Sequence, residues 1–240
     1  MKYTRDDIRA IYDLPFTTLI FRAQQVHQKY QDPAGVQLCT LKSIKTGSCP
    51  EDCAYCPQSA HYETGVEREP LMAVDKVLDA AKEASENGAS RFCMGAAWRE
   101  VSDGEDFEKI LQMVEGVREL GMEACCTLGM ITPLQASRLA EAGLSAYNHN
   151  LDTGPGFYDK IITTRTYQDR LDTIKNVRSA GITVCSGGII GMGESISDRL
   201  EMLCALSELD PHPESVPINA LMAIEGTPLE KQEPIEALEM

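Results

Sequence analysis

Apolar residues recur every three or four positions in several segments of the chain, and short apolar or β-branched runs separate these segments. The first spacing is typical of helices that bury one face, and the second is typical of buried strands. Most of the helical segments end at a glycine, which can adopt the left-handed conformation that closes a helix. The runs predicted as strands cover residues 36–44, 90–95, 123–127, 145–150, 183–186 and 215–219. This alternation predicts a parallel sheet with right-handed crossovers, either doubly wound or closed into a barrel.

The unusual polar and thiol residues help to choose between these two folds. They lie in or just after the predicted strands, at Cys93, Cys125 or Cys126, Asn148, Asn150, Asp152, Cys185 and Asn219. Barrel enzymes build their active sites at the carboxyl ends of the strands. The pattern therefore favours an α/β fold of the (β/α)8, TIM-barrel type.

The two ends of the chain differ from this repeating region. A helix that starts with the capping pair Thr4 and Asp7, followed by a second helix after Pro15, predicts a helical extension over residues 1–35. Residues 36–240 are predicted to form the barrel core. Near its end, residues 234–238 are predicted to begin another helix, with proline in the first turn. An eight-stranded barrel usually takes about 250 residues, so we expect this core to lack its last two strands.

Composition and charge exclude several classes of partner. The formal net charge of -15 argues against binding to nucleic acid or to anionic lipid, because both would be repelled. No apolar run approaches the roughly 20 residues that span a bilayer, and the first residues lack the plan of a secretory signal. We therefore expect a cytoplasmic protein. In that reducing compartment the nine cysteines are interpreted as metal ligands or reactive thiols rather than disulfides.

Three cysteines fall close together in residues 47–58, with C-x3-C-x2-C spacing, and two prolines and a glycine keep this segment out of regular structure. Such a loop can hold an iron-sulfur cluster, and three local ligands would leave one iron of a cubane open. It can equally hold zinc, with His61 completing a Cys3His site. The spacing alone does not separate these alternatives. The aromatic Tyr55, directly before the last cysteine, favours the cluster.

Six short sequence motifs, which occur in a fixed order along the chain, narrow the interpretation of the cysteine loop further. They are GSCPEDCAYCPQSAHY from Gly47, RFCMGAAW from Arg91, YNHNLDT from Tyr147, ITTRTYQDRLDT from Ile162, VCSGGIIGMGE from Val184 and ESVPINAL from Glu214. The cysteine loop resembles that of the radical S-adenosylmethionine (radical SAM) superfamily. The ordered set of words resembles the biotin synthase family within it, over nearly the whole chain.

The resemblance implies roles for the cysteine loop and for the strand ends. Cys49, Cys53 and Cys56 would bind a 4Fe-4S cluster whose open iron chelates S-adenosylmethionine, and one electron would then cleave this cofactor to give a 5′-deoxyadenosyl radical. Further cofactor-binding residues implied by the resemblance are Tyr55, Asn150, Asp152, Gly188 and Ile189. Asn150 and Asn219 would contact the substrate, and no residue is predicted to act as a general acid or base.

The glycine-rich segment 187–194 does not match G-x-G-x-x-G and has no P-loop lysine. By itself it predicts a tight turn from strand to helix. In the resembling family it passes close to the adenosyl group, and glycines would allow that approach because they present no side chain. For His149 a buried structural hydrogen bond is preferred to metal ligation.

A second set of thiols lies on the predicted strands. Any one buried cysteine is usually a small hydrophobic residue, and this interpretation is kept for Cys39 and Cys204. However, Cys125 and Cys185 each stand four residues beyond a helix-ending glycine, and Cys93 stands five beyond one. Counting does not separate Cys125 from Cys126, but the family word EAC favours Cys125. The resemblance implies that Cys93, Cys125 and Cys185 bind a 2Fe-2S cluster together with an arginine from a later strand, to which no residue here can be matched.

The function implied by the resemblance is insertion of sulfur into dethiobiotin to form biotin. A flavodoxin-type electron donor and a homodimer are implied in the same way. Two alternatives are kept open: another radical SAM enzyme that lacks the second cluster, and a non-catalytic fragment that holds zinc in the cysteine loop.

Overall fold

A parallel sheet forms the centre of the structure. The computed structural model describes residues 3–239. Five strands pair in chain order, and a separate pair follows them: β1 Cys39–Lys45, β2 Arg91–Ala96, β3 Glu123–Thr127, β4 Ala146–Asn148, β5 Thr183–Cys185, β6 Gly188–Ile190 and β7 Ile218–Ala220. Every one of these pairings is parallel. The predicted strands are therefore confirmed, with ends that differ by a few residues.

The short strands β5 and β6 are two halves of one interrupted strand. Cys185 forms a bridge to Ser215, and Gly188 pairs within β7, so both halves run beside the same following segment. On the other side, Asn148 pairs with Cys185 and Asp152 forms a bridge to Gly188. The described residues thus contain six parallel strand positions in chain order, which is consistent with part of a (β/α)8 barrel.

Helices cover one face of the sheet. Those in the described residues are α1 Arg5–Tyr12, α2 Phe16–Tyr30, α3 Val74–Glu86, α4 Glu105–Glu119, α5 Pro133–Glu141, α6 Pro155–Tyr158, α7 Tyr167–Ser179 and α8 Ile196–Glu208. Reciprocal capping boxes start four of them, at Thr4, Thr132, Thr166 and Ser195. Each box satisfies backbone N–H groups that the first turn leaves unpaired. The predicted helix start at Thr4 is therefore confirmed.

Alternation along the strands separates two kinds of side chain. Phe92 and Met94 of β2 and Cys126 of β3 are fully buried among the helices, in the main apolar core. Cys93 lies between Phe92 and Met94, and Cys125 directly precedes Cys126. Both therefore face the opposite side, which is the interior of the curved sheet. The core holds the barrel wall in place, and the opposite face is left for chemistry.

The glycine-rich segment is more strand-like than predicted. Residues 188–190 form β6, and only residues 191–195 form the turn that leads into α8. The backbone N–H of Gly188 donates to the carbonyl oxygen of Pro217 at 3.0 Å, and that of Ile189 donates to the carbonyl oxygen of Asp152 at 2.7 Å. The prediction of a single tight turn over the whole segment was wrong because this backbone is paired on both sides.

The helix predicted at residues 234–238 is absent, so that prediction was wrong. The segment is extended and ends in a turn. Ile235 packs against the main core, and the Glu239 carboxylate accepts a hydrogen bond from Arg199 Nη1 at 2.9 Å. These contacts hold the segment along the surface in a form that helical hydrogen bonds would not allow.

The second N-terminal helix has an exposed apolar side. The prediction of helix α2 after Pro15 is confirmed, but none of its residues is buried. Its exposed apolar residues are Phe16, Ile20, Phe21, Val26 and Tyr30. Helix α1 instead packs on α8, where Arg5 Nη1 lies 3.6 Å from Glu201 Oε1. Among residues 3–239, no helix combines the length and apolarity needed to cross a bilayer.

Candidate active site

The cysteine loop, residues 47–58, leaves β1 directly and folds back on itself. Gly47 has a φ of 72°, a left-handed conformation that turns the chain away from the strand. The backbone N–H of Cys49 donates to the carbonyl oxygen of Gln58 at 2.9 Å, and the N–H of Ala60 donates to that of Cys49 at 2.7 Å. The two arms of the loop are therefore paired, and the cysteines between them are held at the carboxyl end of β1.

The three thiols of the loop face one cavity. Cys49, Cys53 and Cys56 line a space of about 250 Å³, together with Tyr55 and Arg165 among others. Burial raises the pKa of all three thiols, and that of Cys53 to about 12. A thiol with a raised pKa stays protonated until a metal displaces the proton. The thiols are therefore protonated when no metal is bound, and the cavity beside them has room for a metal centre.

The zinc alternative makes a different geometric demand. A structural zinc site needs four ligands that converge on one ion. Across residues 3–239, no three His, Cys, Asp or Glu side chains converge in this way. His61, the predicted fourth ligand, instead has its Nε2 3.1 Å from the carbonyl oxygen of Pro50. Thiols that share a cavity without converging on one point fit a cluster, in which each thiolate binds a different iron. The three thiols thus share a cavity, and His61 contacts the backbone of Pro50.

A distant segment holds the cysteine loop in place. The Asp52 carboxylate accepts hydrogen bonds from the backbone N–H groups of Thr163, 111 residues away, at 2.9 Å and of Thr164 at 3.2 Å. The N–H of Ala54 donates to the carbonyl oxygen of Ile161 at 2.9 Å. Burial acts to raise the pKa of Asp52, but the hydrogen bonds from Thr163 and Thr164 lower this pKa to about 2. The sequence motif ITTRT, which begins at Ile162, thus helps to hold the cysteine loop in place.

A buried ion pair lies beside the loop, at the end of β4. The Asp152 carboxylate accepts hydrogen bonds at Oδ2 from Arg170 Nη2 and, at 2.7 Å, from the hydroxyl of Tyr55. The side chains of Asp152 and Arg170 are only 3% and 4% exposed. Asp152 also has a φ of 68°, which is strained for a residue with a side chain. Strained residues that persist are held by their surroundings, as this one is by Arg170 and Tyr55.

We expect Asp152→Asn to destabilise the protein by about 3 kcal/mol, because it leaves the Arg170 guanidinium buried without a negative partner. Urea denaturation of the cluster-free protein, followed by circular dichroism, measures this change. Asp79→Asn is the control, because its ion pair with Lys76 lies at the surface and should contribute at most about 1 kcal/mol. Equal stability of Asp152→Asn and the control would contradict the assignment of Asp152 and Arg170 as a coupled pair.

The residues around Asp152 include the four others that were predicted to bind the cofactor. Asn150 Oδ1 accepts a hydrogen bond from the backbone N–H of Gly187 at 3.1 Å, so this amide supports the strand interruption. Ile189 packs against the same apolar cluster as Tyr55. Tyr55, Asn150, Asp152, Gly188 and Ile189 are thus brought together around the end of β4 and the start of β6.

Gly187 and Gly188 are required for a reason that differs from the predicted approach of a ligand. A Cβ on Gly187 would lie 1.8 Å from the carbonyl oxygen of Pro217, and a Cβ on Gly188 would lie 2.1 Å from Met202 Sδ. Both Cβ atoms would point into the protein. Packing of β7 and of α8 therefore requires these glycines, independently of any ligand.

The second set of thiols lies deeper inside the barrel. Cys93 and Cys125 are direct neighbours on β2 and β3, and the interaction between the two thiols lowers the pKa of Cys93 and raises that of Cys125. Cys185, on β5, accepts a hydrogen bond from Asn148 Nδ2 at 3.2 Å. All three face the interior, whereas Cys126 faces the helices. Of the two neighbours, Cys125 is therefore the one that shares the interior face with Cys93 and Cys185.

Three other predicted residues have mixed outcomes. Asn219 lies in β7, pairs with Ile189 and is exposed. His149 is buried as expected, but its Nε2 has no hydrogen-bond partner within residues 3–239, so the predicted structural bond is absent at that atom. Burial lowers the pKa of His149 well below its usual value, so the ring is neutral. The interpretation of Cys39 as a buried hydrophobic residue was wrong, because Cys39 is exposed at the start of β1.

Two arginines of the site were missed from the sequence. Arg165 lines the cavity of the cysteine loop, and Arg170 pairs with Asp152. A signal for Arg170 was present: it lies on the same face of α7 as the buried Ile174 and Val177. A charged residue on an apolar helix face must have a buried partner. The sequence offers no comparable signal for Arg165.

Comparisons with known proteins agree with this geometry. The model of the radical SAM superfamily matches residues 43–205. The structure of methylornithine synthase superposes with a TM-score of 0.82 at 20% identity and covers 99% of this chain and 70% of that one. HydG, a maturase of the [FeFe]-hydrogenase, gives a TM-score of 0.78 at 14% identity, over 98% and 55% of the two chains. These structures share the fold, and the chain belongs to the radical SAM superfamily.

Sequence relatives define the family within this superfamily. Biotin synthase from Prochlorococcus marinus (strain NATL2A) is 63% identical over 99% of this chain and 69% of its own length. That from Methylobacterium radiotolerans is 63% identical over 98% and 70%, and that from Cytophaga hutchinsonii is 60% identical over 99% and 71%. The chain is a member of the biotin synthase family.

Proposed function

We propose that the protein inserts sulfur into dethiobiotin to form biotin, as a radical SAM sulfurtransferase. The observation that carries this proposal is the presence of two separate thiol sets at one barrel. A radical SAM enzyme without a second cluster needs only the loop cysteines. The interior strand cysteines, together with membership of the biotin synthase family, support sulfur insertion.

The loop thiols of Cys49, Cys53 and Cys56 would hold the 4Fe-4S cluster and leave its fourth iron for the amino and carboxylate groups of S-adenosylmethionine. When bound, these cofactors supply a carbon radical by one-electron cleavage of the sulfonium. The work of the chain is to position them. The paired arms of the loop and its hydrogen bonds to residues 161–164 keep the three thiols on one side of the cavity.

The residues around the end of β4 would position the adenosyl part of the cofactor. Asp152 is the carboxylate proposed to accept hydrogen bonds from ribose hydroxyls, because the hydrogen bonds that it accepts from described side chains go to Oδ2. Asn150 and the backbone of Gly188 would line the same region, and Ile189 would offer an apolar surface. Tyr55 orients Asp152 from the cluster side.

The interior thiols of Cys93, Cys125 and Cys185 would hold the 2Fe-2S cluster, which is the proposed source of sulfur. Cys93 and Cys125 are paired across β2 and β3, and Cys185 lies on the same interior face. Asn150 and Asn219 are proposed to bind the ureido ring of dethiobiotin, since an amide offers both a donor and an acceptor. Asn219 stands beside Ile189, at the carboxyl ends of the strands.

Partners and compartment follow from the family resemblance. We infer a homodimer and a flavodoxin-type electron donor. The nine cysteines, none of which forms a disulfide in the structure, support a reducing compartment such as the cytoplasm.

Anaerobic reconstitution with iron and sulfide tests the proposal. We expect two distinct iron-sulfur spectra and formation of biotin from dethiobiotin when S-adenosylmethionine and a reductant are added. One cluster and no biotin would favour another radical SAM enzyme. Zinc without sulfide would favour a metal-binding fragment.

A further inference from the structure

Arg165 stands between the cysteine loop and helix α7. Its side chain is 8% exposed and lines the cavity that Cys49, Cys53 and Cys56 share. Its position is fixed from both sides, because Thr164 is hydrogen-bonded to Asp52 of the loop and the residue after Arg165 caps α7. The guanidinium is therefore held at the cavity wall by backbone that cannot easily move.

The guanidinium is only loosely paired. Arg165 Nε lies 3.6 Å from Glu51 Oε2, too far for a hydrogen bond, and this buried nitrogen has no acceptor among the described residues. The Glu51 side chain is 2% exposed. Its Oε2 accepts a hydrogen bond from the hydroxyl of Thr164, and its Oε1 lies 3.6 Å from Arg99 Nε. One carboxylate therefore stands between two guanidinium groups, and among the described residues it forms a hydrogen bond with neither.

Other charged groups lie near this cluster of side chains. Asp152 is paired with Arg170, and the Asp52 carboxylate accepts hydrogen bonds from backbone N–H groups of residues 163–164. Hydrogen bonds from Thr166, and also the charges of Arg99 and Arg165, lower the pKa of Asp169. Of these charged side chains, Arg165 and Glu51 line the cavity that the three thiols share.

A buried positive charge changes the energies of a cluster in a known direction. Reduction adds one more negative charge to a cluster that already carries thiolates. In a poorly solvated cavity, a nearby fixed cation stabilises the reduced form more than the oxidised form.

We propose that Arg165, oriented by Glu51, is a positioning residue that raises the reduction potential of the cluster in the cysteine loop. The inference rests on the proposed function, which supplies the 4Fe-4S cluster. In this role Arg165 acts through the charge that it brings to the cavity.

The test compares midpoint potentials of the reconstituted protein by dye-mediated titration followed by electron paramagnetic resonance. Arg165→Gln should assemble the cluster but show at least a tenfold fall in the equilibrium constant for one-electron reduction, which corresponds to about 59 mV. Arg165→Lys should stay close to the unaltered protein, because the charge is kept. Glu51→Gln should shift the potential in the opposite direction, because it leaves Arg165 unopposed.

Arg178→Gln is the matched control. It removes a guanidinium that is 16% exposed and pairs with Glu214, at the other end of α7. Its potential should not change. An unchanged potential in Arg165→Gln, or an equal shift in Arg165→Lys, would overturn the inference. If Arg165→Gln fails to assemble the cluster, Glu51→Gln decides alone, and a potential that is unchanged or lowered overturns it. Absence of a 4Fe-4S signal in the unaltered protein would instead overturn the proposed function.

Discussion

Cys53→Ala is expected to abolish reductive cleavage of S-adenosylmethionine. Cys53 is the middle ligand of the loop and the most deeply buried of its three thiols, at 6% exposure. Its removal leaves Cys49 and Cys56, and two thiolates cannot hold a cubane cluster with one open iron. The measurement is the yield of 5′-deoxyadenosine under argon, with dithionite as reductant and with iron and sulfide analysis of the same sample.

Cys204→Ala is the control for this loss. Cys204 lies on the outer helix α8, so its removal changes the number of thiols without touching the loop. We expect its cluster content and cleavage rate to match those of the unaltered protein. Cleavage that persists in Cys53→Ala would show that the radical does not start from this loop.

The sequence predicted the elements whose signals are local. The helix start at Thr4 was found because its capping partner, Asp7, lies three residues away. The strand at residues 123–127 was found because it directly follows a helix that ends at Gly121. These features need only a few consecutive residues to be specified.

Features that depend on distant partners could not be predicted in this way. Nothing near Asp52 indicates that its carboxylate accepts backbone hydrogen bonds from residues 163–164. The same is true of Arg165, whose partner Glu51 lies in the cysteine loop. Periodicity reports which face of an element is buried, but it does not report which buried charges meet.

The glycine-rich segment shows a second kind of limit. Its composition is typical of a turn, yet Gly188 lies in a strand whose backbone is paired. Glycine is required at this position because Met202 and the carbonyl oxygen of Asp152 leave no room for a Cβ. A glycine required by packing and a glycine required by a turn look the same in one sequence. The prediction that residues 188–190 form a turn therefore failed, although the helix that follows was found.

Cys185→Ala is expected to separate cofactor cleavage from sulfur insertion. The loop thiols are untouched, so 5′-deoxyadenosine should still form. Biotin formation should be lost, because the 2Fe-2S cluster proposed as the sulfur source would keep only Cys93 and Cys125 as thiolate ligands from this set. Anaerobic assays of both products in one reaction measure the two effects together, and the visible spectrum reports loss of the second cluster.

Cys126→Ala is the control that tests whether loss of biotin formation is specific to thiols on the interior face. Cys126 is also a strand cysteine, but it is fully buried among the helices, so its loss should lower stability by about 1 kcal/mol and leave both products unchanged. Normal biotin formation in Cys185→Ala would mean that the sulfur comes from elsewhere. Loss of both products in Cys185→Ala, with the loop cluster intact, would mean that this thiol also serves cofactor cleavage. Two thiol sets with separate roles are supported only if Cys185→Ala still forms 5′-deoxyadenosine and no longer forms biotin.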